Sequence, residues 1–194
     1  LLKSHRLLGQ GSEEQARYAK VILRDHVVRK TPDMLAEIAI MAENIYNCPR
    51  RRGDRTLEQV YRSSKKSVMD RALCEVAGFR WNSSDFDVTD PETYYYDAED
   101  TQRGCRFEVK SLKEKWLSWK GRKPMATFLK HKDDIDYLVG GKLWESEDDF
   151  RVSFMLLARA KSFDKFIAPS DWGGHYYNHI IAGRSGQAIY REDF

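Results

Sequence analysis

Cysteine is scarce in this chain of 194 residues: Cys48, Cys74 and Cys105 are odd in number and far apart. That rules out a disulfide framework and the paired close spacing of a zinc site. A reducing, cytoplasmic compartment is the expectation. Long apolar runs are missing as well. No stretch approaches the ~20 residues that cross a bilayer, and Leu1 to Arg6 lacks the apolar centre of a secretion signal, so no membrane partner is expected. Repeats and low-complexity tracts are absent. There is no large excess of one charge either, since the net charge is +3. Bulk charge therefore does not announce a polyanionic partner, and the placement of charge has to be read instead.

What remains is a chain rich in charge, 32% Asp, Glu, Lys and Arg against 41% apolar residues. Such a composition suits one globular domain with a well-solvated surface. The spacing of Ala16, Ala19, Leu23 and Val27 predicts a helix from about Ser12 to Lys30, capped by Ser12 with Glu13 and Glu14 in its first turn. Thr31-Pro32 opens a second helix that Cys48-Pro49 stops. The arginine-rich stretch Pro49 to Arg55 reads as a loop. It is the expected boundary between an N-terminal helical extension, 1–55, and a core, 56–194. Thr56 starts a third helix running to Ala77 and closed by Gly78.

Short strand-like pieces follow at Phe79–Trp81 and Phe86–Val88, with better ones at Tyr94–Tyr96 and Cys105–Lys110 joined by a polar turn over Glu99–Gly104. Lys115 to Phe128 is ambiguous. Ile135–Val139 and Val152–Ala158 read as buried strands separated by Gly140-Gly141 and an acidic loop, and a helix is expected near Phe163–Ile167. Helices and strands without regular alternation indicate a mixed α/β sheet domain.

Chemistry concentrates in one strand. Alternation puts Cys105, Phe107 and Val109 on an apolar face and Arg106, Glu108 and Lys110 on the other. The turn is short enough to bring Asp97 alongside Glu108, and two carboxylates beside an ammonium form the hard, oxygen-rich setting that Mg²⁺ prefers. A cation there neutralises a phosphate and acidifies bound water, while a lysine steers the nucleophile. Asp85 and Asp87, also near strand-like residues, are the alternatives to Asp97 as first carboxylate. A wet surface pair of Glu108 and Lys110, worth at most ~1 kcal/mol, is the competing bland reading.

Asp97-Ala98-Glu99-Asp100, a turn ending in Gly104, and Phe107-Glu108-Val109-Lys110-Ser111 together resemble the signature of the PD-(D/E)XK nucleases, the restriction-endonuclease-like superfamily. The match covers about residues 64 to 112, with Tyr96 in place of the usual Pro. The resemblance implies a mixed central sheet flanked by helices and Mg²⁺-dependent cleavage of DNA, with Mn²⁺ as a substitute. It also implies metal binding by Asp97, Glu108 and the Val109 carbonyl, with Lys110 serving the attacking water. Glu75, on the preceding helix, would be the additional acidic residue, although a salt bridge with Arg71 is an equal expectation.

Lys113, Lys115, Lys120, Arg122 and Lys123, with Lys65 and Lys66, are the candidate contacts to substrate phosphates. Trp116, Trp119 and Tyr94–Tyr96 either stack on bases or pack internally. His175 and His179 are expected to be ordinary loop histidines. An endonuclease acting on DNA is expected, with RNA and a homodimer left open. The rivals are a binding module of the same fold without catalysis and a structural or protein-interaction domain.

Overall fold

The computed structural model describes residues 11–82, 96–112, 131, 133–161, 167–169, 175–177 and 188–191. Five helices are described: α1 (Gly11–Ile22), α2 (Pro32–Asn47), the short α3 (Pro49–Arg52), α4 (Leu57–Ser64) and α5 (Ser67–Ala77). The strands are β1 (Asp25–Arg29), β2 (Arg80–Trp81), β3 (Ala98–Asp100), β4 (Cys105–Ser111), β5 (Tyr137–Glu145), β6 (Asp149–Arg159), β7 (Ile167–Pro169), β8 (His175–Tyr177) and β9 (Ala188–Tyr190). The fold is a mixed α/β sheet flanked by helices. Its strand order is β1-β6-β5-β4-β3-β2, with β9 also on β6; β7 and β8 pair separately. β4 and β5 run parallel, and the other ladders are antiparallel.

The apolar face of β4 forms the core as alternation requires. Phe107 and Val109 are fully buried among Tyr18, Ala19 and Ile22 of α1 and Met69, Ala72 and Leu73 of α5. Phe107 stacks on Phe79 and on Tyr137, and meets Tyr18 edge-on with centroids 5.0 Å apart. Two polar clamps fix α1 over the sheet: Tyr18 Oη donates to Asp100 (2.7 Å) and Tyr137 Oη to Glu14 (2.6 Å).

Several elements depart from local sequence pattern. The helix expected over Ser12–Lys30 ends at Ile22, and Asp25–Arg29 instead forms β1. Val27 is exposed and Val28 buried, because pairing with β6, far away in sequence, outweighs the helical spacing. Residues of the expected N-terminal extension thus share the sheet through β1 and the core through α1. Thr31 and Thr56 cap α2 and α4 as the sequence suggests, Thr56 in a reciprocal box with Gln59. Pro49–Arg52, read as loop, makes one helical turn ended by Gly53 at φ 59°.

The long third helix divides in two. The hydroxyls of Ser63 and Ser64 both donate to the Val60 carbonyl, competing with the backbone ladder. The chain then turns at Lys65-Lys66 before α5, which Gly78 closes at φ 69°. Gly140 and Gly141 lie inside β5, at an irregularity in its register with β6, rather than between strands. Ile167 lies in β7; residues 163–166 of the expected helix, together with Phe86–Val88, Tyr94, Tyr95 and Lys115–Phe128, fall outside the described residues.

The tight approach at β5 has a measurable consequence. A Cβ on Gly141 would lie 2.9 Å from Met69 Cε and 3.1 Å from both Phe154 Cδ1 and the Ser153 carbonyl oxygen. Gly141→Val is expected to cost about 1–3 kcal/mol through overpacking, read as a lowered urea midpoint at unchanged slope. An unaltered midpoint would show that the β5 backbone need not pass so close to α5.

Candidate active site

Asp97 lies immediately before β3; of the strand expected over Tyr94–Tyr96, only Tyr96 is among the described residues. The ladder to β4 runs after Asp97, through Ala98, Glu99 and Asp100. The expected alignment nevertheless forms: Ala98 pairs with Phe107, and Asp97 N–H donates to the Phe107 carbonyl at 2.8 Å, so Asp97 lies next to Glu108. The intervening turn is tight because Asp100 accepts from Gln102 N–H and Gly104 takes a positive φ of 68°.

Asp97 is held from several directions. Its Oδ2 accepts from Val109 N–H at 2.7 Å, and its backbone carbonyl accepts from Asn82 N–H at 3.0 Å. Asn82 also donates through Nδ2 to the Tyr96 carbonyl. Sequence reasoning missed Asn82, and its type and position in the sequence carry no signal for this role. Val109 thus meets Asp97 through its own N–H.

Lys66 Nζ, at the start of α5, donates to Asp97 Oδ2 at 3.0 Å and to Asp70 Oδ1 at 3.1 Å. Lys110 Nζ donates to Glu108 Oε1. The structure therefore brings together Asp70, Asp97, Glu108, Lys66 and Lys110. The side chains of Asp70 and Asp97 are 2% and 3% exposed, and those of Glu108 and Lys110 are 14% and 16%. This is not a wet surface pair.

Glu75 takes another position. It is half exposed and paired with His26 at 2.8 Å, so the acidic residue that α5 directs to this cluster is Asp70. The reason is helical geometry: Asp70 stands one turn from Lys66, whereas Glu75 lies on a stripe facing β1. Arg71, the other partner considered for Glu75, binds Glu37. The i,i+4 spacing of Lys66 and Asp70 was a readable signal that sequence reasoning missed.

Lys65 pairs with Glu145 at 2.5 Å. Tyr96 is buried under Arg106, whose guanidinium lies 4.8 Å from the ring centroid, and its hydroxyl accepts from Arg80. Lys113, Lys115, Lys120, Arg122, Lys123, Trp116, Trp119, Asp85, Asp87 and His179 lie outside the described residues, and His175 falls in β8.

No family model, curated protein or solved structure matches this chain. Among the described residues, no helix is long and apolar enough to cross a membrane.

Electrostatics set the character of the cluster. Burial, then repulsion from Asp97, raises the Asp70 carboxyl well above the ordinary carboxylate range; the same two causes raise Glu108, with Lys110 and Lys66 opposing them. Among these five side chains, three carboxylates against two ammonium groups sum to one negative charge when all are ionised. Holding such a group costs stability unless something else satisfies it. Its oxygen-only donors suit a hard divalent cation. Among the described residues no group of three His, Cys, Asp or Glu is arranged as a ready-made metal cage, and Lys66 stands between Asp70 and Asp97. Asp70 Oδ2, Asp97 Oδ1 and Glu108 Oε2 accept no hydrogen bond among the described residues.

The raised carboxyls fix the sign of a pH effect. Their folded pKa values exceed the unfolded ones, so the folded state binds more protons above about pH 4, and stability falls as pH climbs through neutrality. In EDTA, the melting temperature of the wild type is expected to decline between pH 5 and 9, and that of Asp70→Asn to decline less. Parallel curves for the two proteins would remove Asp70 from this account.

Proposed function

We propose that this protein is a metal-dependent endonuclease that hydrolyses DNA phosphodiester bonds on a restriction-endonuclease-like fold. The observation that carries the reading is the meeting of Asp97, immediately before β3, with Glu108 and Lys110 of β4, and with Asp70 of α5 joined to Asp97 through Lys66. A mixed sheet flanked by helices, with the apolar face of β4 in the core and its charged face at the cluster, also supports it.

Asp97, Glu108 and Asp70 would hold Mg²⁺ or Mn²⁺, with the Val109 carbonyl as a further oxygen; Asp70 takes the role first expected of Glu75. The bound cation supplies charge neutralisation at the phosphate and a more acidic water. Asp97 keeps its orientation through the Val109 and Asn82 hydrogen bonds, which fix its carboxylate before the cation binds. Glu108 positions Lys110, whose ammonium orients the attacking water and offsets charge developing on the phosphate. The fixed side chains thereby contribute through position and electrostatics, the main needs of a slow diester hydrolysis.

Both lysines are already ion-paired, and this favours a second reading: a charge network that stiffens a nucleic-acid-binding module without cleavage. Incubation of circular, linear and branched DNA with Mg²⁺ or with EDTA separates the two. Cleavage is expected only with the cation. Lys110→Ala and Asp97→Asn are expected to lower it by about 100-fold or more, and Glu75→Gln to leave it within a few-fold. Wild-type rates in Lys110→Ala, or cutting in EDTA, would defeat the proposal. RNA in the same assay tests the breadth of the substrate, and the oligomeric state during cutting tests for a homodimer.

A further inference from the structure

Lys66 does something that the nuclease reading does not require. Its single ammonium bridges two carboxylates, at 3.1 Å to Asp70 and 3.0 Å to Asp97, and both are almost fully shielded from water. Its own side chain is 29% exposed, so it enters from the solvent side while its targets sit inside. An ammonium drawing oxygens from two buried carboxylates occupies the electrostatic position of a bound cation. Lys66 stands at the start of α5, one turn ahead of Asp70.

We infer that Lys66 is a built-in counter-ion that competes with the divalent cation for Asp70 and Asp97, and that cation entry releases its ammonium toward the substrate phosphate. The inference rests on the proposed metal-dependent reading of the same site. Charge bookkeeping supports the exchange. With all five side chains ionised, as cation binding requires of the carboxylates, three carboxylates and two ammonium groups sum to one negative charge. A divalent cation turns that into one positive charge, which one phosphodiester anion cancels. With Lys66 kept in the neighbourhood, cation and substrate together give a neutral cluster. The cation alone leaves an excess of positive charge that attracts DNA.

Direct titration of the full-length chain with Mn²⁺ at pH 8, followed by the paramagnetic resonance signal of the free ion, tests this without reference to cleavage. Lys66→Gln removes the competing charge and keeps a hydrogen-bond donor. It is expected to bind Mn²⁺ about tenfold more tightly than the wild type and to gain more in melting temperature on adding Mn²⁺. Lys66→Arg keeps the charge with a fork suited to two carboxylates and is expected to bind Mn²⁺ no more tightly than the wild type, and several-fold more weakly if the fork engages both. Should Lys66→Gln not fold, the Arg variant decides, and an affinity above that of the wild type then overturns the inference. Equal affinities in wild type and Lys66→Gln, or weaker binding in the Gln variant, also overturn it while leaving the metal-dependent reading intact. Absence of Mn²⁺ binding in wild type and every variant overturns both.

Discussion

Burying three carboxylates beside one another is the constraint around which the rest of this structure is arranged. Each would be well solvated in the unfolded chain, and each loses that solvation in the fold. The two lysines recover part of the cost, and breaking one such buried pair typically removes roughly 3–5 kcal/mol. A chain under no other demand gains more from apolar residues in these places. The arrangement is therefore a cost to stability rather than a source of it, and under the proposed function that stability is given up for chemistry.

The remainder of the fold answers that constraint by rigidity. Phe107 and Val109, on the reverse of the strand that carries Glu108 and Lys110, are sealed under α1 and α5. Their burial sets the strand's rotation, and the strand's alternation then fixes where Glu108 and Lys110 point. Asp97 is tied to the same strand by two hydrogen bonds, one from its own N–H to the Phe107 carbonyl and one from Val109 N–H to its carboxylate. Movement of β4 would therefore carry both carboxylates together. α5 joins the two systems, placing Met69 in the core and the adjacent Asp70 at the cluster.

Much of the site was legible because its signals are local. Glu108, Lys110 and the apolar Phe107 and Val109 follow from period-two alternation, and the Asp97 neighbourhood follows from the length of one hairpin. The caps at Thr31 and Thr56 and the stop at Gly78 are likewise readable, since each depends on a few neighbouring residues. Where the readings diverged, the deciding partner was remote. β1 exists because of a β6 ladder more than a hundred residues away. The exchange of Glu75 for Asp70 depends on how α5 packs, with Glu75 turned to His26 of β1 and Asp70 sharing Lys66 with Asp97.

By itself, then, the sequence determined the chemistry available: the carboxylates, the lysines beside them, and the strand whose one face is apolar and whose other is charged. Residue type and short-range spacing are enough for that, because a period of two and a tight turn leave little freedom. Tertiary structure alone decided which acidic residue of α5 joins Asp97 and Glu108, and that Lys66 stands between two of them. Those outcomes depend on how separate segments pack, and packing free energy depends on contacts between residues that no local pattern links.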